Sequence, residues 1–133
     1  MKSIMLIDTA LLILRVAIGT IFLAHGSQKL FGAGNINGFA GMLQGLGFAP
    51  PVLWAYAAAL SEGLGGLLLL LGIAPRLSAG LIAIVMLVAI VKVHGAKGFF
   101  MAQGGFEYQF LILISCIALI LTGGGKFSLF NKL

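Results

Sequence analysis

Four apolar runs, Ile7–Phe31, Val52–Gly72, Leu77–His94 and Tyr108–Thr122, take up most of this chain, and an apolar run of about 20 residues is what an α-helix needs to cross a bilayer. Their continuity decides the class. A membrane barrel shows short segments that alternate apolar and polar residues, whereas these runs are rich in Leu, Ala and Ile throughout and read as helices. The expected fold is an all-α membrane protein, a four-helix transmembrane bundle forming a single domain over residues 1–133. Gly72-Ile73-Ala74-Pro75-Arg76 reads as a tight turn, which makes the second and third helices antiparallel neighbours. In the longest connection, Ile36, Phe39, Met42, Leu43 and Leu46 recur at helical spacing. That pattern predicts a short interfacial helix between Asn35 and Gly47, closed by Pro50-Pro51.

Composition agrees with the segment pattern: 61% of residues are hydrophobic and 8% charged, against roughly 45–50% and 25% in soluble domains. The formal net charge of +5 could serve nucleic acid, but the basic residues are scattered singly between apolar runs and form no face. Anionic lipid headgroups are the partner that distribution suits. Four spans put both termini on one side, with Lys2, Arg76, Lys126 and Lys132; Lys29, Lys92 and Lys97 lie opposite. The excess of positive charge narrowly favours cytoplasmic termini. The first run contains Arg15, exceeds a signal-peptide core in length and lacks a small-x-small cleavage site near "LAHGSQKL", so it is expected to be retained.

Ionisable groups inside an apolar run are costly and stand out. Arg15 lies about two turns inside the first run and Glu62 about three turns inside the second, counted from the same side, so an intramembrane Arg15–Glu62 ion pair is expected. It would spare each an uncompensated charge. The small residues Gly19 and Gly26 on the first helix, and Ala58, Gly65 and Gly66 on the second, would let the two helices approach closely. Such a pair can do no more than fix helix register, or it can belong to a polar pathway.

A second polar group gathers on the opposite side. His25 and Lys29 end the first run, Lys92 and His94 the third, and Gln103, Glu107, Tyr108 and Gln109 introduce the fourth. Antiparallel connectivity brings them to one mouth, to which Phe99, Phe100, Met101 and Phe106 add aromatic and thioether surface. The candidate ligand-binding residues are His25, Lys29, His94, Phe99, Phe100, Glu107 and Tyr108, a set suited to a ring-shaped amphiphile; an ordinary aromatic belt would look similar. Two histidines could also serve a haem or a metal, but no HExxH, CxxC or CxxCH spacing is present, and no metal site is expected. Cys116 is the only cysteine, which excludes an intramolecular dithiol cycle and leaves the thiol a packing role.

Taken together, "LLILRVAIGTIFLAHGSQKL", "SEGLGGLLLLLGIAPRLSAGLIAIVMLVAI" and "HGAKGFFMAQGGFEYQ" resemble, in that order, the DoxX family of small bacterial four-helix membrane proteins, from about Leu11 to Gly125. The residues that carry the resemblance are Arg15, Gly19, His25, Gly26 and Lys29, then Glu62, Gly65, Gly66 and Arg76, then His94, Gly98, Phe99, Phe100, Gly105 and Glu107. It implies a multi-pass protein of the bacterial inner (plasma) membrane. It also implies a membrane subunit of an oxidoreductase, since family members are associated with a thiosulfate:quinone oxidoreductase and with thiol and oxidative-stress handling. With one cysteine, the reducible group here would be a bound quinone, another cofactor or a partner protein. Expected partners are the lipid bilayer, a quinone, soluble or membrane redox proteins and further copies of the chain. The alternatives are a non-redox small-molecule transporter, a lipid-binding module and a structural scaffold subunit.

Overall fold

The computed structural model describes residues 1–133 as five α-helices: α1 (Lys2–Phe31), α2 (Asn35–Gly45), α3 (Pro51–Leu71), α4 (Pro75–Ala89) and α5 (Glu107–Thr122). Proline starts two of them at the position where a missing N–H costs nothing, Pro51 in α3 and Pro75 in α4. α3 stops at Gly72, whose φ of +70° is the left-handed conformation that glycine adopts without strain. α4 runs on through a π-helical turn, Ile90–His94, and a 3₁₀ turn, Gly95–Lys97.

Three helical stretches, Lys2–Phe31, Pro51–Leu71 and Pro75–Lys97, are long and apolar enough to cross a membrane; α5 is apolar but has 16 residues. The exterior matches that setting. Leu53, Leu64, Ile84, Leu87, Leu111 and Leu121 are exposed on the outer faces of their helices, the arrangement of a lipid-facing surface. The short helix between the first two long ones is present, and its apolar spacing has its expected effect: Ile36, Ala40 and Leu43 bury against Ala55 and Ala59 of α3.

α1 and α3 are antiparallel and touch backbone to backbone. A methyl group added at Gly19 would lie 2.7 Å from the Gly66 oxygen and from the Leu70 nitrogen, and one at Gly26 would collide with Gly63. Gly65 turns the other way, toward Ser78 and Ile82 of α4. One apolar core joins α1, α3, α4 and α5 through Ile18, Phe22, Leu69, Ile82, Met86, Ile112 and Leu119, with Cys116 fully buried among them.

Beyond α5 the chain folds back under the α3–α4 turn. Ala74 N–H donates to Phe130 and Phe130 N–H to Gly72, while Arg76 and Leu77 N–H both donate to the Leu133 oxygen. The last residues thus serve as a strap that satisfies the backbone groups the turn leaves open.

Candidate functional site

Register decides which charges meet. Because Gly19 sits against Gly66 and Leu70, and Gly26 against Gly63 and Ala59, the next turn of α1 brings Lys29 to Glu62. Lys29 Nζ lies 2.6 Å from Glu62 Oε2, with the carboxylate side chain 5% exposed and the ammonium side chain 22%. The Phe39 ring of α2 lies 5.1 Å from the same ammonium, adding a cation–π contact.

The expected Arg15–Glu62 pair is therefore corrected. Arg15 lies 14 residues before Lys29 on α1, about 21 Å along a helix, and meets a different set of acceptors. Its Nε donates to the Gly124 oxygen at 3.0 Å, and its two terminal nitrogens donate to Leu69 and Phe127 oxygens at 3.1 Å each. Arg15 is fully buried. Leu69 lies in the last turn of α3, where carbonyls carry the negative end of the helix dipole, and Gly124 and Phe127 follow α5, so three carbonyl oxygens stabilise the cation there without a carboxylate. Counting both residues from presumed membrane edges misjudged the depth, since α1 begins at Lys2 and overhangs the turn that ends α3.

On the Glu62 side a cavity of about 500 Å³ opens between the helices. Its polar lining is supplied by His25 and Lys29 of α1, Ser61 and Glu62 of α3, Lys92 and His94 after α4, and Tyr108 and Gln109 of α5. Its apolar lining includes Met42, Leu43 and Leu46 of α2, Phe48, Trp54 of α3, and Ile84 and Val88 of α4. Met42, Trp54, Ile84 and Val88 among them are exposed. Volume and lining fall in the range of small-molecule sites, an apolar enclosure with a few convergent polar groups.

Two elements aim the polar groups. In the π-helical turn the Gly95 N–H reaches back to the Ile90 oxygen, widening the helix so that Lys92, Val93 and His94 all line the cavity. The loop that follows fixes the imidazole: His94 Nδ1 lies 2.7 Å from the Gly104 oxygen, and His94 Nε2 lies 3.2 Å from Gln109 Nε2. A carbonyl only accepts, so Nδ1 carries a proton; in the neutral imidazole Nε2 then accepts from the Gln109 amide. His25 is exposed, with its ring centroid 6.0 Å from that of Phe22.

Of the expected ligand-binding residues, His25, Lys29, His94 and Tyr108 line this cavity, whereas Phe99, Phe100 and Glu107 do not. Glu107 Oε1 accepts the Met101 N–H at 2.8 Å. Phe99 packs edge-on against Phe100 and Phe106 at 5.4 and 5.5 Å. Both close the loop upon itself and so hold the Gly104 carbonyl under His94. Sequence reasoning gathered Lys92 and Gln109 at the mouth without counting them as ligand-binding candidates, and it missed Ser61 and the contribution of α2. The amphipathic spacing of Phe39, Met42, Leu43 and Leu46 was the available signal, because an apolar stripe must cover something.

Comparison with known proteins agrees with this architecture. Residues 10–95 match the DoxX family model. Over 113 residues, 84% of this chain and 78% of the relative, the sequence is 38% identical to CatD of Bacillus subtilis (strain 168), which carries the provisional name of an oxidoreductase. No solved structure matches. By the family match, by the extent of that relative and by its apolar helices, the chain belongs to the DoxX family.

Proposed function

We propose that this chain is a single four-span domain of the inner membrane, with cytoplasmic termini, that binds the polar ring of a quinone-like amphiphile as the membrane component of a redox system. The observation that carries the reading is the cavity itself, lined mostly by apolar side chains and furnished with Lys29–Glu62 and His94–Gln109. α5, at about 24 Å, would be the fourth span, packed beside α4 in the shared core. An oxidoreductase name on a relative covered over most of its length supports the redox class.

In this reading the apolar lining receives the tail, and Lys29, Tyr108 and His25 present donors to the oxygens of the ring. Glu62 takes or returns a proton inside the bundle. Exposed His25 is the cavity-wall group placed to pass that proton on to water. Electrons come from or go to a partner protein, because the one thiol, Cys116, is buried in the core away from the cavity.

A second reading, a lipid-binding or solute-transport module, draws on Lys29 and Lys92 in the wall, where cations would suit an anionic headgroup. Solvent extraction of the gently purified protein, with mass spectrometry and an absorption spectrum, separates the two. A stoichiometric quinone is the expected result. Phospholipid alone, with no bound quinone and no reduction of added quinone, overturns the redox reading in favour of the second.

A further inference from the structure

α2 walls one side of the cavity with Phe39, Met42 and Leu43, and it is a weak helix. At 11 residues it is shorter than the ~12–15 that a helix needs to hold itself in water, and it carries Gly38, Gly41 and Gly45, which destabilise a helix relative to alanine. Packing does not require them: a methyl group at any of the three meets nothing within 4 Å. Gly34 and Gly47 flank it with φ of +80° and +90°. What holds α2 in place is the burial of Ile36, Ala40 and Leu43 against two alanines of α3, together with the Phe39 ring on the Lys29 ammonium. Asn35, Asn37 and Gln44 are exposed, unlike the leucine faces of the long helices, which suits a helix at the membrane surface, where water takes up the backbone groups that unwinding frees.

Phe39 also holds a dividing position. A second cavity, of about 240 Å³, opens beside Gln28, Gly34, Asn35 and Gly38, and the residues it shares with the larger one are Lys29 and Phe39 alone. The cation–π pair is therefore the partition between the chamber that Glu62 lines and a polar vestibule at the α1–α2 bend.

We propose that α2 is a gate: it unwinds at its glycines, lifts Phe39 off Lys29 and joins the two cavities into one passage, by which the larger cavity exchanges its occupant with the membrane surface. Glycine at positions where the packing leaves room for a side chain is then explained, because alanine there holds the gate shut. Gating serves the cavity only if it takes an occupant, as proposed above, but opening is measurable without one, so the two readings can fail separately.

Ser61 lines the larger cavity and not the smaller, and Cys116, the one native thiol, is fully buried in the core. In Ser61→Cys, the rate at which a membrane-impermeant methanethiosulfonate labels the intact protein in lipid nanodiscs therefore reports the open population. Adding Gly41→Ala and Gly45→Ala, at positions that line neither cavity, should slow labelling roughly tenfold, the factor that two gains in helix propensity set for an opening that unwinds α2. Phe39→Leu, which keeps an apolar side chain and takes the ring off Lys29, should speed it about threefold. Gly80→Ala is equally free of contact but lies on α4, and it should leave the rate within about twofold, because the opening is local. A rate that Gly41→Ala with Gly45→Ala leaves unchanged overturns the gate, as does one that Gly80→Ala slows just as much, since labelling would then follow global stability. Decylubiquinone, added as the probe occupant, should slow labelling of Ser61→Cys. If the variants rank as stated but decylubiquinone protects none of them, the gate is upheld and the quinone reading is not.

Discussion

Lys29 and Glu62 meet at 2.6 Å across the α1–α3 interface, one turn beyond the point where Gly26 and Gly63 bring the two backbones together. The ion pair is a consequence of glycine register, and it stands at the wall of the cavity rather than at the end of the bundle where Arg15 lies. Replacing Lys29 with Met leaves a nearly buried carboxylate without its partner, which costs on the order of 3–5 kcal/mol while it stays charged. The double variant Lys29→Met, Glu62→Gln should recover much of that loss. Unfolding titrations in mixed micelles give the double-mutant cycle; the same cycle run on Arg15 and Glu62 should show coupling near zero, as expected for groups about 20 Å apart along the helices.

Arg15 holds three carbonyls from two places in the chain, Leu69 at the end of α3 and Gly124 and Phe127 after α5. Arg15→Lys keeps the charge but not the planar fork, and an ammonium cannot span the same acceptors. Loss of two charge-assisted hydrogen bonds predicts a destabilisation of about 3 kcal/mol. The change should be local first. Hydrogen exchange at the strap, residues 124–130, should speed up in Arg15→Lys before the amides of α1 or α3 respond, and uniform acceleration across all helices would contradict the strap assignment.

The glycines divide into two kinds that only the packing distinguishes. A methyl group at Gly19 meets backbone at 2.7 Å on the facing helix, while one at Gly41 or Gly80 meets nothing within 4 Å. Gly19→Ala must push α1 off α3 and should cost about 1–3 kcal/mol, the usual range for overpacking. Gly41→Ala and Gly80→Ala are free of that penalty and gain helix propensity, up to about 1 kcal/mol. Thermal unfolding in detergent should therefore rank Gly80→Ala above wild type and Gly19→Ala below it.

Segment type was legible because apolar run length and Pro/Gly punctuation act locally. Pro51 and Pro75 start helices and Gly72 ends one, as their backbone preferences require, and the spacing of Ile36, Phe39, Met42, Leu43 and Leu46 announced α2, which ends at Gly45, two residues before the expected Gly47. The charge pairing was not legible. It depends on how far α1 slides along α3, which is set by where Gly19, Gly26, Gly63 and Gly66 can interlock, and several registers place a glycine against a glycine. The π-helical turn at Ile90–His94 is also silent in the sequence, because nothing in "IVKVH" disfavours an ordinary turn. Glu107 looked like a ligand group because it is charged and near the mouth, but its carboxylate is consumed by the Met101 N–H, a partner that appears only once the loop has closed.

The cavity is the place where stability and function should separate. Ala58 lies on its wall, one turn before Glu62 on α3, and Ala58→Leu adds three carbon atoms to a space bounded by apolar side chains while removing no hydrogen bond. The folded fraction should stay close to wild type, because the added group enters open volume instead of a filled core. Retention of the extracted amphiphile should fall by about tenfold or more if the ring must occupy the space beside Glu62. His94→Ala should weaken retention by a different route, by freeing the Gln109 amide to turn, and Glu107→Gln should change it little, since that side chain serves the loop and not the cavity. Measuring ligand stoichiometry and unfolding on the same samples keeps the effects apart. A loss of retention in Glu107→Gln as large as that in Ala58→Leu would move the site out to the loop, where Phe99 and Phe100 form the nearest aromatic surface.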